Sequence, residues 1–258
     1  MEEFYQVVDK LKKVEGIVPM PIGNLDLWRS NHLLDTLFYK LNGCEAARKL
    51  VHRELRYDGP EMLKAFEELE RMAKSGALGP MYQGLGYSDE VSMFNEGKSA
   101  MRFSGSWTLG EIAKNIDAGF FPFPYYKDRP QYKDDWFAGY AEGWGMAAGL
   151  SPEKEKAALD YVKLWTSPKG FKLFAEVAKN IPAGKADIDP NVTGKLFAEF
   201  VSELSTAKDS LPDIPEPDSV VKNVKQTMAQ AALALKVTPE EAVKKIQEAV
   251  ESQEKKKK

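Results

Sequence analysis

Thiol and imidazole chemistry are almost missing from this 258-residue chain, which has one cysteine, Cys44, and two histidines, His32 and His52. A lone cysteine forms no internal disulfide and has no companions for a thiolate metal site. Two histidines do not make a histidine-rich metal cage, and their separation is not that of a ligand pair on one helix face. Both are therefore read as structural, and no metal or cofactor is expected. Also absent is any apolar run approaching the ~20 residues of a membrane span. Met1-Glu-Glu-Phe has no signal-peptide character, so no export signal is expected in the sequence as it stands. Charge of one sign is lacking too: a formal net charge of −3 gives no general attraction to nucleic acid or anionic membrane. Lys255 to Lys258 reads as a solvated tail, not a basic stripe. Gly84-Leu-Gly86 lacks the third glycine and the strand-to-helix setting of a phosphate cradle.

What remains is ordinary globular material, 43% hydrophobic and 29% charged, in a length that suits one large domain or two modest ones. Phe4, Val8 and Leu11 mark one face of an opening helix, and Ile17-Val-Pro-Met-Pro is a short apolar strand-like run. The loop Gly23 to Asp26 leads into a helix whose buried stripe is Leu34, Leu37, Phe38 and Leu41, with Trp28 at its start and off the stripe. Asp58-Gly59-Pro60 opens a helix burying Met62, Phe66, Leu69 and Ala73, which Gly76 closes. From Ser88 the pattern predicts a short helix, a turn at Gly97, a strand from Ala100 to Phe103, and a turn through Ser104-Gly105-Ser106. That turn is expected to open a helix with Trp107 in its first turn.

Phe120-Phe-Pro-Phe-Pro-Tyr-Tyr is too proline-rich for a central strand and reads as a strand running out into a loop. Trp136 to Trp144 mixes aromatics, glycines and the carboxylate of Glu142, then continues as an apolar strand from Gly145. Ser151-Pro152-Glu153 and Ser167-Pro168 start helices, with stripes at Ala158, Tyr161, Val162 and Trp165, and at Phe171, Phe174, Ala175 and Ala178. The remainder is helical, punctuated by the proline-broken Leu211 to Pro217. Thr238-Pro239-Glu240-Glu241 is a capping box. Short strands among long amphipathic helices indicate an α/β fold with helices in the majority.

A strand that empties into a small-residue turn at a helix start is where α/β proteins place ligands, because free N–H groups meet ligand oxygens there. The plainer alternative is that Gly105 only makes a tight turn and that Trp107 and Trp28 are core residues.

In its order of pieces the chain resembles the family 1 extracellular solute-binding proteins, the sugar-binding receptors of ABC importers related to maltose-binding protein. The likeness is carried by Gly16-Ile-Val-Pro, Trp28 entering a long helix, Gly59-Pro60-Glu61, and Phe94-Asn-Glu-Gly97-Lys-Ser-Ala-Met101 followed by Gly105-Ser106-Trp107. It continues through Phe121-Pro122-Phe123-Pro124, Ser151 to Trp165, Ile181-Pro182-Ala183 and Thr238 to Glu241. The resemblance implies a helix-rich α/β architecture of the periplasmic-binding-protein type II class, with one complete C-terminal lobe and part of an N-terminal lobe. By it, residues 1–115 and 184–258 belong to the C-terminal lobe, and 116–183 are a segment returning to the N-terminal lobe. The expected apolar exposure is then at Phe120, Phe121, Met146 and the Tyr161/Trp165 face, and self-association is expected of the isolated chain.

The resemblance further implies a non-enzymatic, extracytoplasmic binder of a sugar or oligosaccharide, with no cofactor and no nucleic acid. Its partners would be a transporter permease and a missing N-terminal lobe or another chain. Sugars present apolar C–H faces and rings of hydroxyls, which aromatic platforms with a few fixed polar groups recognise. The matching positions are Trp28 and Trp107 as platforms, Ser104, Gly105 and Ser106 beside the cleft, and Tyr140, Glu142 and Trp144 near the hinge, with Trp136 as a further candidate. Trp165, completing a helical stripe, is assigned to the core. The rival readings are a non-binding interaction fragment and a glycoside hydrolase, the latter drawing on Asp26, Asp89, Asp135 or Glu142.

Overall fold

The computed structural model describes residues 1–112, 115–139 and 143–256. The elements, in chain order, are helices α1 (Glu2–Leu11), α2 (Leu27–Asn42), α3 (Cys44–Val51), α4 (Pro60–Ser75) and α5 (Tyr87–Asn95), then strand β1 (Asp135–Phe137). They continue with α6 (Pro152–Trp165), α7 (Pro168–Glu176), α8 (Pro190–Thr193), α9 (Lys195–Leu204), strand β2 (Asp209–Leu211), α10 (Ser219–Leu233) and α11 (Pro239–Lys256).

The chain forms two compact units, each assembled from separated segments. Unit 1 takes Met1–Phe103, Phe123–Gly139 and Ala207–Lys258; unit 2 takes Ser104–Pro122 and Tyr140–Thr206. The changes of unit thus fall near 103, 122, 139 and 206, where the resemblance places changes of lobe near 115 and 183. The difference has a local cause. Phe123 and Tyr126 pack on the unit 1 core, and β1 pairs with β2 there.

Unit 1 is organised around α2. Leu33, Leu34, Leu37 and Phe38 are fully buried, with α4, α10 and β1 packed around the helix. Enclosure on so many sides carries polar residues inward as well: Arg29, Asn31, Asp35 and Lys40 are all buried. Each then needs a partner, because an unpaired buried charge is strongly disfavoured. α4 begins with Pro60 in its first turn and ends at Gly76, whose φ of 81° is the left-handed conformation that glycine adopts without a Cβ penalty. At α11, Glu241 N–H donates to Thr238 Oγ1 (3.2 Å) and Glu241 Oε2 accepts from Thr238 N–H (3.0 Å), the expected reciprocal cap.

Sheet structure is sparse. β1 and β2 pair in parallel with Asp135 opposite Asp209 and Phe137 opposite Leu211. The expected strands at 17–21 and 100–103 do meet in parallel, but only as a bridge between Val18 and Ser99, flanked by Ala100 N–H to Val18 O and Met101 N–H to Pro19 O. Pro19 and Pro21 have no N–H to donate, so the ladder stops. No strand forms at 120–126 or 145–148. The helix expected to begin at the Ser106 turn is a 3₁₀ turn, Ser106–Glu111.

Lys40, on α2, lies 2% exposed and donates to Lys133 O and Asp135 O, both at 2.7 Å, which ties β1 to the helix. Burial lowers its ammonium from 10.5 to about 8. Below pH 8 the group is charged in both folded and unfolded states. Between pH 8 and 10.5 the folded protein sheds the proton first, so Lys40 favours the folded state progressively as pH rises. Burial raises the Cys44 thiol to about 12, which opposes this above pH 9. Comparison with Lys40→Met separates the two. Chemical denaturation from pH 7.5 to 9.5 should show the wild type gaining on the variant by up to about 2 kcal/mol. A constant gap would exclude the buried ammonium.

Unit 2 has far less interior. The stripe expected on α6 is not buried: no residue of that helix is, and in α7 only Gly170 and Ala175 are. Phe121, Trp144, Met146, Leu159, Tyr161 and Leu164 are each at least 41% exposed. An apolar surface of this kind drives association. Light scattering on the purified chain should give a mass that rises with concentration, and a constant monomer mass would count against that expectation.

Candidate functional site

In unit 1, two helix starts are brought together by a backbone crossing that only glycine permits. A Cβ on Gly23 would lie 2.6 Å from Gly86 C and Tyr87 N. Asp26, at the N-terminus of α2, sends its carboxylate across to accept from Tyr87 N–H (2.7 Å), and Asp89 accepts from Gly86 N–H (2.8 Å). Trp28 in the first turn of α2 and Tyr87 at the head of α5 are thereby set side by side. Their ring centroids lie 5.1 Å apart, and both rings are half-buried.

The floor under these rings is a buried ion cluster. Arg29 donates to Glu90 through Nε (3.0 Å) and Nη2 (2.6 Å), and its Nη2 also meets Phe103 O. Glu90 accepts in addition from Gly23 N–H (2.9 Å) and Arg102 Nε (3.3 Å). The side chains of Arg29 and Glu90 are wholly inaccessible. The Arg29 guanidinium carbon lies 4.9 Å from the centre of the Trp28 ring and 5.7 Å from that of Tyr87. A cation over a ring face is attracted to it and helps to hold the ring in place.

The patch widens through His32, one turn after Trp28. Its ring is 5.0 Å from Trp28 and 4.7 Å from Phe137 of β1. His32 Nε2 lies 3.3 Å from Asp213 Oδ1, which also accepts from Asn31 Nδ2 (2.8 Å). Burial raises the Asp213 carboxyl, but His32, Lys225 and Lys222 outweigh it and hold the group below its ordinary value. Deeper in, Asp35 is fully buried between Lys225 Nζ (2.6 and 2.8 Å), Ile214 N–H (3.0 Å) and Asn31 Nδ2 (3.2 Å). Burial pushes its carboxyl above the ordinary value against the pull of Lys225.

The other expected site residues fall elsewhere. Trp136 is 9% exposed, with Lys40 Nζ 5.8 Å from its ring centre, so it is a core residue and not a platform. Ser104, Gly105, Ser106 and Trp107 lie in unit 2. Gly105 has an extended backbone (φ −121°, ψ −176°); it is small because the Trp107 ring folds over it, a Cβ there falling 2.0 Å from Trp107 Cζ3. Trp107 remains 37% exposed, and Ser104 Oγ is buried with no hydrogen-bond partner among the described residues. Trp144, also in unit 2, is 55% exposed and stacks on Trp165 at 6.3 Å and 26°, with Tyr161 edge-on at 5.3 Å. Trp165 is therefore half-buried in an aromatic cluster and not sealed in a core. Tyr140 and Glu142 lie outside the described residues.

Tyr87, His32, Phe137 and Asp213 escape a reading of the sequence alone. The i, i+4 spacing of Trp28 and His32 carries a signal for one of them. An aromatic opening the helix after Gly84-Leu-Gly86 carries it for Tyr87. Asp213 and Phe137 arrive by tertiary contact and have no local signature.

A family model for bacterial extracellular solute-binding proteins matches residues 1–193. Among curated relatives, an uncharacterised ABC transporter extracellular-binding protein of Pyrococcus horikoshii is 25% identical over 128 residues, which is 49% of this chain and 30% of that one. A probable sugar-binding periplasmic protein of Rhizobium meliloti is 22% identical over 213 residues, 80% of this chain and 49% of that one. Among solved structures, a chitin oligosaccharide binding protein superposes on all of this chain with a TM-score of 0.90 and 25% identity. The chain spans 65% of that protein's length and half or less of the two curated relatives. The fold is the helix-rich α/β type of periplasmic-binding-protein type II structures. With three-quarters of its length matched by the family model, and a fold shared from end to end with a solved member of that class, the chain belongs to the bacterial extracellular solute-binding proteins.

Proposed function

We propose that the chain is the solute-recognising part of an extracytoplasmic receptor for an ABC importer, and that it takes a carbohydrate without chemical change. The observation that carries this reading is the Trp28–Tyr87 pair, half-exposed and braced from beneath by the Arg29–Glu90 cluster. A sugar's C–H face gains from a large aromatic surface held still before binding, since little side-chain freedom is lost. Within unit 2, Trp107 and Trp144, 37% and 55% exposed, are further aromatic candidates for contact with a sugar. The transporter permease is the macromolecular partner, and the apolar surface of unit 2 is the side that meets a further lobe or another chain. Chitin oligosaccharides, the ligand class in the name of a structural relative, are the first candidates.

Hydrolysis is disfavoured by what the carboxylates already do. Asp26 and Asp89 are tied to backbone N–H groups at a helix start, and Asp135 accepts from Cys44 N–H at 2.8 Å and is 9% exposed. Glu142, the remaining candidate, lies outside the described residues.

Calorimetry against a panel of mono- and oligosaccharides tests the reading. Trp28→Ala should weaken the best ligand at least about tenfold, as loss of an aromatic anchor does. Unchanged affinity in that variant would remove Trp28 from the site. No ligand-induced rise in melting temperature with any glycan would favour a non-binding interaction fragment.

A further inference from the structure

The binding reading leaves His32 and Asp213 without a task, yet both sit against its main platform. His32 is on α2 four residues after Trp28, and its side chain is 16% exposed. It fills the space between the Trp28 ring, at 67° to it, and the Phe137 ring, at 45°. A ring in that position is free to turn about its own bonds unless something holds it. Asp213 holds it: Oδ1 is 3.3 Å from Nε2, and Asn31 Nδ2, donating at 2.8 Å, fixes the carboxylate from the other side. Asp213 is in turn anchored by the chain that follows it, since Ile214 N–H donates to the buried Asp35.

We infer that His32, oriented by Asp213, is a positioning residue for the Trp28 platform, and that a proton on its imidazole is linked to solute binding. The inference rests on the reading of Trp28 as a ligand-contacting ring. The groups that face His32 can be named from each side. α2 contributes Trp28, with Arg29 behind it, and Asn31 and Asp35. β1 contributes only the uncharged Phe137. The segment after β2 contributes Asp213, and α10 contributes Lys222 and Lys225 acting on that carboxylate. A proton gained by the imidazole strengthens its bond to Asp213 and places a cation at the edge of the Trp28 ring. Either change alters how firmly, and at what angle, the ring meets a sugar face. Purely apolar packing at position 32 would give the platform the same area but no such link.

Two substitutions separate these roles. His32→Phe keeps an aromatic ring against Trp28 and Phe137 but cannot bond Asp213. His32→Gln keeps an N–H for Asp213 but gives up the ring. The first readout needs no ligand: Trp28 emission, taken as the difference between the full chain and its Trp28→Phe variant, followed from pH 5 to 8.5. In the otherwise unaltered chain this difference signal should be quenched on the acid side, where an imidazolium accepts an electron from the excited indole and returns it without emission, and should be stronger on the basic side. Both position-32 variants should lose the pH step, each measured against its own Trp28→Phe partner. Asp213→Ala should retain the step but move Trp28 emission to longer wavelength as the ring loosens into water.

The second readout is binding of N-acetylglucosamine tetramer by calorimetry. His32→Phe should weaken it about tenfold, the scale of one charge-assisted hydrogen bond, and His32→Gln should weaken it less. A flat emission profile in the unaltered chain, or His32→Phe binding as tightly as the parent, overturns the inference. If Trp28→Ala itself binds the tetramer normally, the platform reading fails first and takes the functional half of the inference with it. The emission step then reports only the contact between the two rings.

Discussion

Glu90→Gln should lower the stability of unit 1 by about 3–5 kcal/mol, the largest effect expected of any single polar substitution in this chain. The change is nearly isosteric, so the loss is electrostatic. Glu90 faces both Arg29 and Arg102, and with Arg29 it is entirely out of water. An amide in its place leaves the enclosed Arg29 guanidinium without its carboxylate, and a buried unpaired charge is the costly outcome. Gly23 N–H then has a weaker acceptor as well, so the crossing of the 23–26 loop over the head of α5 loosens. Thermal unfolding should show a fall of about 10 °C for a unit of this size. Glu45→Gln is the control, because its carboxylate is 68% exposed and its 3.4 Å contact with Arg48 contributes little. Equal small shifts for the two variants would mean that the Arg29 cluster is solvated and not the floor of the platform.

Lys225→Met should cost a similar amount at neutral pH, and the loss should shrink in acid. Lys225 Nζ bonds both oxygens of Asp35, and both side chains are essentially inaccessible. Burial already raises the Asp35 carboxyl, and Lys225 is the cation that pulls against it. An acid whose folded value is raised takes up a proton in the folded state first. The variant is therefore least stable where Asp35 must be ionised and recovers as pH falls toward the range where it protonates. Denaturation at pH 7 and pH 5 checks the sign: the gap between parent and variant should be smaller at pH 5. A gap of about 3–5 kcal/mol at pH 7 that does not narrow would point to lost packing of the lysine stem instead of an orphaned carboxylate.

Both predictions concern residues that give no sign of their burial in the sequence. The 3.6-residue pattern of Leu34, Leu37, Phe38 and Leu41 correctly placed one face of α2, and the same periodicity served for α4. It gave no hint that α10 would hold Asp35 inside across nearly two hundred residues, or that Glu90 and β1 would do the same for Arg29 and Lys40. Trp136 illustrates the converse: an aromatic among glycines reads as an exposed platform until Lys40 and β2 are seen to enclose its strand. In unit 2 the helix stripes of α6 and α7 were legible as patterns. Periodicity reports which side is apolar and says nothing about whether anything covers it. As for the candidate site, Trp28 stood out as a tryptophan off its helix stripe. Its companions Tyr87, Phe137 and Asp213 come from three distant stretches and are joined only by the fold.

Because unit 1 is stitched from three stretches of sequence, its core closes only when α10 and α11 dock on α2 and α4. Residues 1–103 therefore emerge from a ribosome well before the helices that seal them, and Leu33, Phe38 and Phe66 stay uncovered for the time it takes to synthesise the intervening hundred residues. During that interval the chain carries open apolar surface, the kind of species that aggregates.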